Sequence, residues 1–316
     1  MTYTQFLTFG SIAKDELMSH PGLFQDQLDV KNLNKINVFF MVDKLNQSLG
    51  GISTNIAYNF KQLSNKTCYI LGGIGLDGQS FVDFFNQNNI DISYLKRSIE
   101  LYTGTFKGIS FLDQNQIGAF YYGANLEGKN ILLSEIHSVE KSLLGISSSS
   151  PEAVLSIQKQ AIKLQLDYLY DPGMMLTWAD NDLLIEGILN SKYLIANDYE
   201  MNLIFERTGL NIQALISKNI QLIITKGKDG LDYYSSEEKL SLKSYPVSKF
   251  VDPTGAGDAF RGGFVAYLLD QKPIRDCLIA GSVLGSMCVE KSGAVNHIFD
   301  IKSFEERYLH IAKNSF

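Results

Sequence analysis

The stretch FVDPTGAGDAFRGGF, residues 250–264, crowds small residues between two aspartates and then changes into a helical pattern. Apolar side chains recur at the spacing of one helix face, at Phe260, Phe264, Tyr267 and Leu268. In open α/β sheets, ligands bind at the carboxyl ends of strands, beside the N-termini of helices. The stretch therefore predicts a helix start at the ligand-binding edge of such a sheet.

Small residues leave the backbone of this turn bare. Gly255, Ala256 and Gly257 have almost no side chain to shield their N–H groups. At a helix start these groups point outward, and the helix dipole favours negative charge there. We therefore predict an anion hole that accepts a phosphate and the charge that develops on it during transfer.

Asp258 lies at the edge of the predicted anion hole. A carboxylate repels phosphate, so the position indicates a function, which is to accept the proton of an attacking hydroxyl as in kinase catalysis. The alternative is a glycine-rich turn in which Asp258 is a first-turn helix charge worth about 0.3–1 kcal/mol. Arg261, one turn further, fits two interpretations: contact with a phosphate oxygen or a solvated helix face.

The rest of the chain alternates strand and helix patterns from about residue 150 onward, which predicts a mostly parallel sheet with helices on both faces. Two segments do not follow this alternation. INVFFMVD, residues 36–43, is apolar on both faces of a predicted strand, and residues 102–122 have the pattern of a hairpin. We place both in a small β lid drawn from about 11–46 and 100–123, and expect a single domain over 1–316.

Composition excludes several classes of protein. The chain has 316 residues, of which 45% are hydrophobic, and a net charge of −6, so a generally basic surface for nucleic acid is not expected. Cys68, Cys277 and Cys288 form no CxxC pair, and such scattered thiols fit a reducing cytoplasm. There is no signal-peptide pattern and no apolar run near the roughly 20 residues that span a membrane, so membrane insertion is not expected either.

Two motifs together resemble those of a known family. DPTGAGDAF, residues 252–260, is similar to the second signature of the PfkB (ribokinase-like) carbohydrate and nucleoside kinases, and GGISTNIAYNFKQL, residues 50–63, is similar to the first. The motifs occur in the family's order, and the resemblance extends from about Gly10 to His297. The segments FGSIAKDELMSHPGLF, AFYYGAN, DPGMML and SGAVNH resemble the bacterial and archaeal adenosine or nucleoside kinases of the family.

The resemblance implies an α/β fold, a ribokinase-like three-layer sandwich with a mostly parallel central sheet and a small β-sheet lid. The substrate would lie between sheet and lid, and ATP along the sheet edge. The catalytic base and the anion hole would be those described above. On the substrate side, Asp15 and Asn55 match residues that bind sugar hydroxyls, and Gly50 and Gly51 match the hinge and the substrate-side turn.

On the nucleotide side, the resemblance implies ATP and Mg²⁺ as cofactors. Asn197 and Glu200 match the N-x-x-E motif, which supports Mg²⁺ and the phosphates mainly through water. Many members also bind a monovalent cation such as K⁺ beside the anion hole, where Asp252 would lie, and the sequence leaves this cation open. The remaining candidates near the nucleotide are Thr225, Gly227 and Asn296.

Most of these positions also have a purely structural interpretation. Asp15 fits a turn acid that follows the first strand. Asn55 fits a cap-type residue on a helix stripe. Asn197 and Glu200 together fit a capping box at the start of a helix, and Thr225 fits the end of a strand.

The sequence therefore predicts an ATP- and magnesium-dependent kinase acting on the 5′-hydroxyl of a nucleoside such as adenosine. Phe39, Phe40 and Met41 of the lid strand would give a flat base an apolar cover. Lys14 and Tyr122 depart from the residues usual in the subgroup and weaken the choice of substrate. The alternatives are a sugar kinase for ribose or a ketohexose, and a non-catalytic binding regulator, against which the retained catalytic motif argues. The two-faced strand also allows a homodimer through the lid.

Overall fold

A computed structural model describes residues 2–27, 39–113 and 115–314. Within them the strands are β1 (Gln5–Phe9), β2 (Ala13–Ser19), β3 (Lys44–Gly50), β4 (Thr67–Leu71), β5 (Gly73–Ile74), β6 (Lys96–Arg97), β7 (Gly104–Ser110), β8 (Gln116–Tyr121), β9 (Ser142–Ser147), β10 (Tyr168–Asp171), β11 (Tyr193–Asn197), β12 (Gln221–Thr225), β13 (Leu231–Tyr234) and β14 (Lys239–Leu242). The α-helices are α1 (Ile52–Leu63), α2 (Gln79–Gln87), α3 (Pro151–Lys163), α4 (Asn181–Leu189), α5 (Asp198–Thr208), α6 (Ile212–Ile216), α7 (Ala256–Leu269), α8 (Ile274–Cys288) and α9 (Ile301–Asn314). In the described ranges no helix has the length and apolar character needed to cross a bilayer.

The largest sheet has eight strands in the order β14-β13-β12-β11-β10-β9-β1-β4. From β12 to β4 every pairing is parallel, and β13 and β14 add an antiparallel hairpin at one edge. Strand β1 lies between β4 and β9, with Leu7 paired to Tyr69 and Leu144. Because the central strands are parallel, their carboxyl ends line one edge of the sheet, where ligands of such folds bind.

Helices cover both faces of the large sheet. Phe6 and Leu143 point into a core shared with α1, α2, α7 and α8, whereas Leu7 and Leu144 point into a second core shared with α3, α4, α5 and α6. The two cores follow from the alternation of side chains along a strand. They also explain why β9 and β10 are buried along their whole length. The predicted three-layer α/β architecture with a mostly parallel sheet is confirmed.

A second, four-stranded sheet in the order β3-β2-β7-β8 forms the lid. Strands β2 and β7 pair in parallel, and the two outer pairings are antiparallel. The hairpin predicted at 102–122 forms as β7 and β8. The acidic residue Asp15 lies within β2, so its interpretation as a turn acid is wrong.

The lid strand predicted at 36–43 is wrong in its described part. Residues 36–38 lie outside the described residues, and residues 39–43 form no strand. The strand begins only at Lys44 and pairs with β2 along its whole length.

The surroundings of residues 39–41 explain why their apolar pattern led to a wrong prediction of a strand. Phe39 and Met41 are each 84% exposed, so neither packs on a sheet partner. Phe40 instead packs its ring on His20 and Phe111, with ring centroids 5.9 and 5.1 Å away. The mainly polar β3 is a strand because β2 pairs with it, which shows long-range pairing outweighing local alternation.

Candidate active site

A cavity of about 330 Å³ opens at the carboxyl ends of β10, β11 and β12, against the start of α7. Six of its lining residues were predicted for the site: Asn197, Glu200, Thr225, Gly227, Gly257 and Asp258. The others are Ile52, Asp171, Gly173, Met174 and Arg261. The structure thus brings the two strand-end motifs and the glycine-rich turn to one place, as expected for the edge of a parallel sheet.

The glycine-rich turn caps α7 with a backbone that only glycine adopts readily. Gly255 has φ of +79°, and a Cβ atom there would lie 2.3 Å from the Cβ atom of Ala294. Ala256 and Gly257 begin the helix, where N–H groups have no acceptor four residues back, although Ala256 N donates a bond of 3.2 Å to the carbonyl oxygen of Pro253. The bare helix start meets the cavity at Gly257 and Asp258. These donors, with the positive end of the helix dipole, fit a phosphate group.

Asp258 is held by a residue of α1. The Asn55 side chain donates a hydrogen bond of 2.8 Å from Nδ2 to Asp258 Oδ2. Burial raises the pKa of Asp258 to about 7, and the positive charge of Arg261 and the hydrogen bond from Asn55 act in the opposite direction. A carboxyl group with a pKa near neutrality can take up a proton and release it again during a reaction at neutral pH.

Asp15 lies on the lid beside the glycine pair that opens α1. A Cβ atom on Gly50 would lie 2.2 Å from Asp15 Oδ2, so only glycine leaves room for this carboxylate. Gly51 follows as the N-cap of α1, with φ of +90°. Burial raises the pKa of Asp15 to about 6, and the negative charge of Asp252 raises it further. Asp15, Gly50 and Gly51 therefore form a lid-side group that does not line the cavity itself.

The N-x-x-E motif forms a complete capping box. Asn197 Oδ1 accepts a hydrogen bond of 2.8 Å from Glu200 N, and Glu200 Oε2 accepts one of 2.9 Å from Asn197 N. Both side chains also line the cavity, together with Thr225 at the end of β12 and Gly227 after it. The structural interpretation of this motif is therefore right, and it does not exclude a role toward a ligand.

Besides the lid-side group and Asn55, Gly255 and Ala256, two more predicted residues do not line the cavity. Asn296 is exposed on the loop after α8, where its side chain donates to the carbonyl oxygen of Ser292. Asp252 accepts backbone hydrogen bonds from Thr254 N at 2.9 Å and Gly293 N at 3.1 Å. In the part of the chain that the structure describes, no group of three or more His, Cys, Asp or Glu residues is placed to hold a metal ion.

Sequence reasoning missed the partner of Arg261. Arg261 Nη2 donates a hydrogen bond of 2.6 Å to Asp171 Oδ1, and the two residues are 7% and 3% exposed. The solvated helix face is therefore excluded for Arg261. Burial raises the pKa of Asp171, and Arg261 counters the shift. The available signal was the position of Asp171 as the last residue of an apolar strand, where parallel sheets place ligand-binding groups.

Comparison with known proteins identifies the family. The sequence profile described as pfkB family carbohydrate kinase matches residues 27–300. The chain belongs to this family. The match confirms the prediction made from the two signature motifs, and this pfkB-family kinase is accordingly a phosphotransferase.

Relatives of the pfkB-family kinase extend over most of its length. The nucleoside kinase of Methanocaldococcus jannaschii is 25% identical over 292 residues, which cover 92% of this chain and 94% of that protein. The ribokinase of Lactococcus lactis is 28% identical over 252 residues, which cover 78% of this chain and 80% of that protein.

Solved structures match the fold of this kinase. The nucleoside kinase of Burkholderia thailandensis in complex with inosine has a TM-score of 0.87 at 24% identity, and the match covers 98% of this chain and 99% of that chain. The same protein in complex with ADP-inosine has a TM-score of 0.83 at 24% identity, with 98% and 97% covered. The predicted ribokinase-like fold, with its large parallel sheet and lid, is confirmed.

Proposed function

We propose that this pfkB-family kinase transfers the γ-phosphoryl group of ATP to the 5′-hydroxyl of a nucleoside, with adenosine as the expected substrate. The observation that carries the proposal is the contact of Asp258 with Asn55 at the bare start of α7. It combines a base of raised pKa with a phosphate-binding helix start in one cavity. A nucleoside is favoured because the similar kinase of M. jannaschii is a nucleoside kinase, and that of B. thailandensis is solved with inosine.

In the proposed reaction, Asp258 accepts the proton of the attacking hydroxyl while the hydroxyl oxygen forms its bond to phosphorus. Asn55 orients the carboxylate through its hydrogen bond of 2.8 Å. The N–H groups of residues 255–257, of which that of Ala256 is shared with Pro253 O, hold the oxygens of the transferred group as its bond to ADP breaks, when charge must be stabilised most. Positioning and fixed donors, rather than a covalent intermediate, supply the catalysis.

On the substrate side, Asp15 would bind the ribose hydroxyls. Phe106 of β7 pairs directly with Asp15, and Phe120 of β8 pairs with Phe106, so the three side chains share one face of the lid. Aromatic surface beside a hydroxyl-binding carboxylate suits a nucleoside, because a flat base packs on a ring. These two rings replace the apolar cover that the sequence predicted at residues 39–41.

On the nucleotide side, Asn197 and Glu200 would support Mg²⁺ and the phosphates through water. ATP as the phosphoryl donor is supported by the relative that is solved with ADP-inosine. Asp252 would lie near a bound K⁺ ion. Thr225, Gly227 and, less directly, Asn296 complete the proposed nucleotide site.

Further proposals concern the whole protein. We propose a single kinase domain over 1–316, acting in the cytoplasm, where its three buried free cysteines stay reduced. A homodimer through the lid would use β8, which is exposed along its whole length.

A sugar kinase is the second candidate, because the similar protein of L. lactis is a ribokinase. Asp15 and Asn55 would serve any furanose in the same way. The two candidates differ only in what lies against Phe106 and Phe120.

The test measures phosphoryl transfer from MgATP to adenosine, inosine, other nucleosides, ribose and fructose. We expect the highest kcat/KM for a nucleoside, and a loss of about 10²–10⁴-fold for Asp258→Asn, the usual contribution of a general base. A preference for ribose or fructose would select the second candidate. Binding without any transfer would refute a kinase activity.

A further inference from the structure

Arg261 is the one lysine or arginine that lines the cavity within the described residues. Three carboxylates share this cavity with it: Asp171, Glu200 and Asp258. Arg261 itself is only 7% exposed, so its charge acts on the cavity with little screening by water. A site for phosphoryl transfer needs positive charge near the transferred group, and no other lining side chain supplies it.

One side of the Arg261 guanidinium group is held by hydrogen bonds, and the other side faces the start of α7. Its Nη2 atom donates to Asp171 Oδ1 at 2.6 Å and to the carbonyl oxygen of Ile195 at 3.4 Å. Its Nη1 atom lies over Gly257, because a Cβ atom on Gly257 would be only 2.7 Å away from it. The Nε atom is buried without a hydrogen-bond partner. Because Gly257 has no side chain, the guanidinium group of Arg261 can lie next to the helix start that would form the anion hole.

The buried ion pair is not explained by stability. Replacing such a pair with apolar residues of similar volume is often neutral or stabilising, because two buried charges must both lose their water. The Arg261–Asp171 pair also connects α7 to the end of β10, both of which line the cavity. Its geometry points the free edge of a planar donor toward the site of the phosphate, and arginine is the side chain best suited to bind phosphate oxygens.

We propose that Arg261 is a catalytic residue that donates from Nη1 to a non-bridging oxygen of the transferred phosphoryl group, and that Asp171 is the positioning residue that holds its guanidinium. The inference rests on the proposed function. Arg261 would act together with the N–H groups of residues 255–257, adding a full positive charge, held in place by Asp171, to the backbone dipoles at the point where phosphoryl charge develops.

The test compares Arg261→Met, Arg261→Lys and Asp171→Asn with Arg307→Met. Arg307 is a matched control because it also forms an ion pair, at 2.7 Å with Glu290, but does not line the cavity. We expect kcat to fall roughly 10²–10³-fold for Arg261→Met, as for loss of one transition-state donor, with the KM of the nucleoside little changed. Arg261→Lys should recover only part of the rate, because it restores charge without the planar fork.

Two readouts separate catalysis from folding. Affinity for MgADP with aluminium fluoride, a phosphoryl mimic, should fall with kcat for Arg261→Met, while affinity for MgADP alone changes little. In the Arg261→Ala variant, added ethylguanidinium should raise kcat at least tenfold above the value of that variant alone. If Arg261→Met does not fold, the paired change Arg261→Met with Asp171→Leu removes both buried charges and keeps the test possible.

The outcomes distinguish this inference from the proposed function. A wild-type protein that transfers no phosphoryl group to any acceptor overturns both. An active wild-type protein whose Arg261→Met variant keeps kcat within threefold, or loses no more than Arg307→Met, overturns the role of Arg261 alone. Equal losses of affinity for MgADP with and without the fluoride would also overturn it, because they indicate ground-state binding only.

Discussion

At the scale of single residues, carboxylates outnumber basic side chains among the described residues of the site: Asp171, Glu200 and Asp258 line the cavity with Arg261. Burial raises the pKa of Asp258 to about 7 and of Asp15 to about 6. Asp258 has the favourable charge of Arg261 nearby, whereas Asp15 has the carboxylate of Asp252, which raises its pKa further. The protonation state of these two groups is therefore expected to change close to neutral pH.

The raised pKa of Asp258 predicts the pH dependence of the activity. A base works only when it is unprotonated, so kcat/KM should rise with pH and level off above a pKa of about 7. Below that value we expect the rate to fall about tenfold per pH unit. Asn55→Ala removes a hydrogen bond that lowers this pKa, so the profile should move to higher pH.

The measurement is kcat/KM against pH at saturating MgATP for the wild type and Asn55→Ala. Asn190→Ala is the control, because the exposed side chain of Asn190 donates only to Glu186 O of its own helix. A wild-type profile that stays flat from pH 5 to 8 would show that Asp258 is not a base with a raised pKa.

Residues of the site differ in how well sequence could find them. Gly257 and Asp258 lie in one short motif whose chemistry can be argued from adjacent residues. The environment of Arg261 could not be predicted in this way, because its partner Asp171 is 90 residues away. Only that contact decides between a side chain that faces a phosphate and one on a solvated helix face. Asn55 was assigned to sugar hydroxyls, but its contact with Asp258 required the packing of α1 on α7.

At the scale of elements, the strongest patterns were the buried ones. The strand β10 is buried on both faces because helices cover both, and its apolar sequence identifies it. The strand β9 is equally buried, but it lies before the predicted alternation from about residue 150 and was not predicted. The lid strands are partly exposed, so their sequences are less distinctive. The sequence of β3 is mainly polar, whereas the apolar segment before it forms no strand. Pairing with β2 determines β3, and no local pattern contains that information.

The capping box at α5 allows its structural and chemical roles to be separated. Asn197→Ala removes the acceptor for Glu200 N and should lower the free energy of unfolding by about 1 kcal/mol. Glu200→Gln keeps an oxygen that can accept from Asn197 N, so stability should change by less than about 0.5 kcal/mol. Because it removes the charge, a higher Mg²⁺ concentration should be needed for half-maximal activity.

Urea unfolding and Mg²⁺ titration of the kinase activity check both effects. Asp180→Ala is the control, because Asp180 caps α4 through Leu183 N at 2.8 Å but does not line the cavity. It should lose similar stability with no change in Mg²⁺ dependence. An unchanged Mg²⁺ requirement in Glu200→Gln would limit Glu200 to its structural role.

At the scale of the whole molecule, one ion pair connects the lid to the core. Lys14 of β2 lies 2.6 Å from Asp77, in the connection between β5 and α2. Asp77 also accepts a hydrogen bond of 2.8 Å from Thr103 N, just before β7. Asp77 thus contacts β2 through Lys14 and the start of β7 through Thr103, and it holds these two adjacent lid strands against the connection between β5 and α2.

We expect Lys14→Met to raise the KM of the nucleoside severalfold, because the lid loses the contact with Asp77 that helps to hold β2 and its substrate-side residue Asp15 in place. The free energy of unfolding should change by at most about 1 kcal/mol, as for other partly exposed pairs. Lys107→Met is the control, since Lys107 pairs with Glu16 at 2.6 Å inside the lid itself. Equal KM values for the two variants would contradict a lid–core role.

The contact between Asn55 and Asp258 also has a consequence for how the protein is made. The two residues are 203 positions apart, so at about 5–20 residues per second the ribosome adds Asp258 roughly 10–40 s after Asn55. Ile56 and Phe60 of α1 pack in one core with Phe264 of α7. During that interval they lack the part of this core that α7 provides. The nascent chain therefore exposes part of an apolar helix face, which chaperones can bind, until α7 and the proposed base Asp258 have been added.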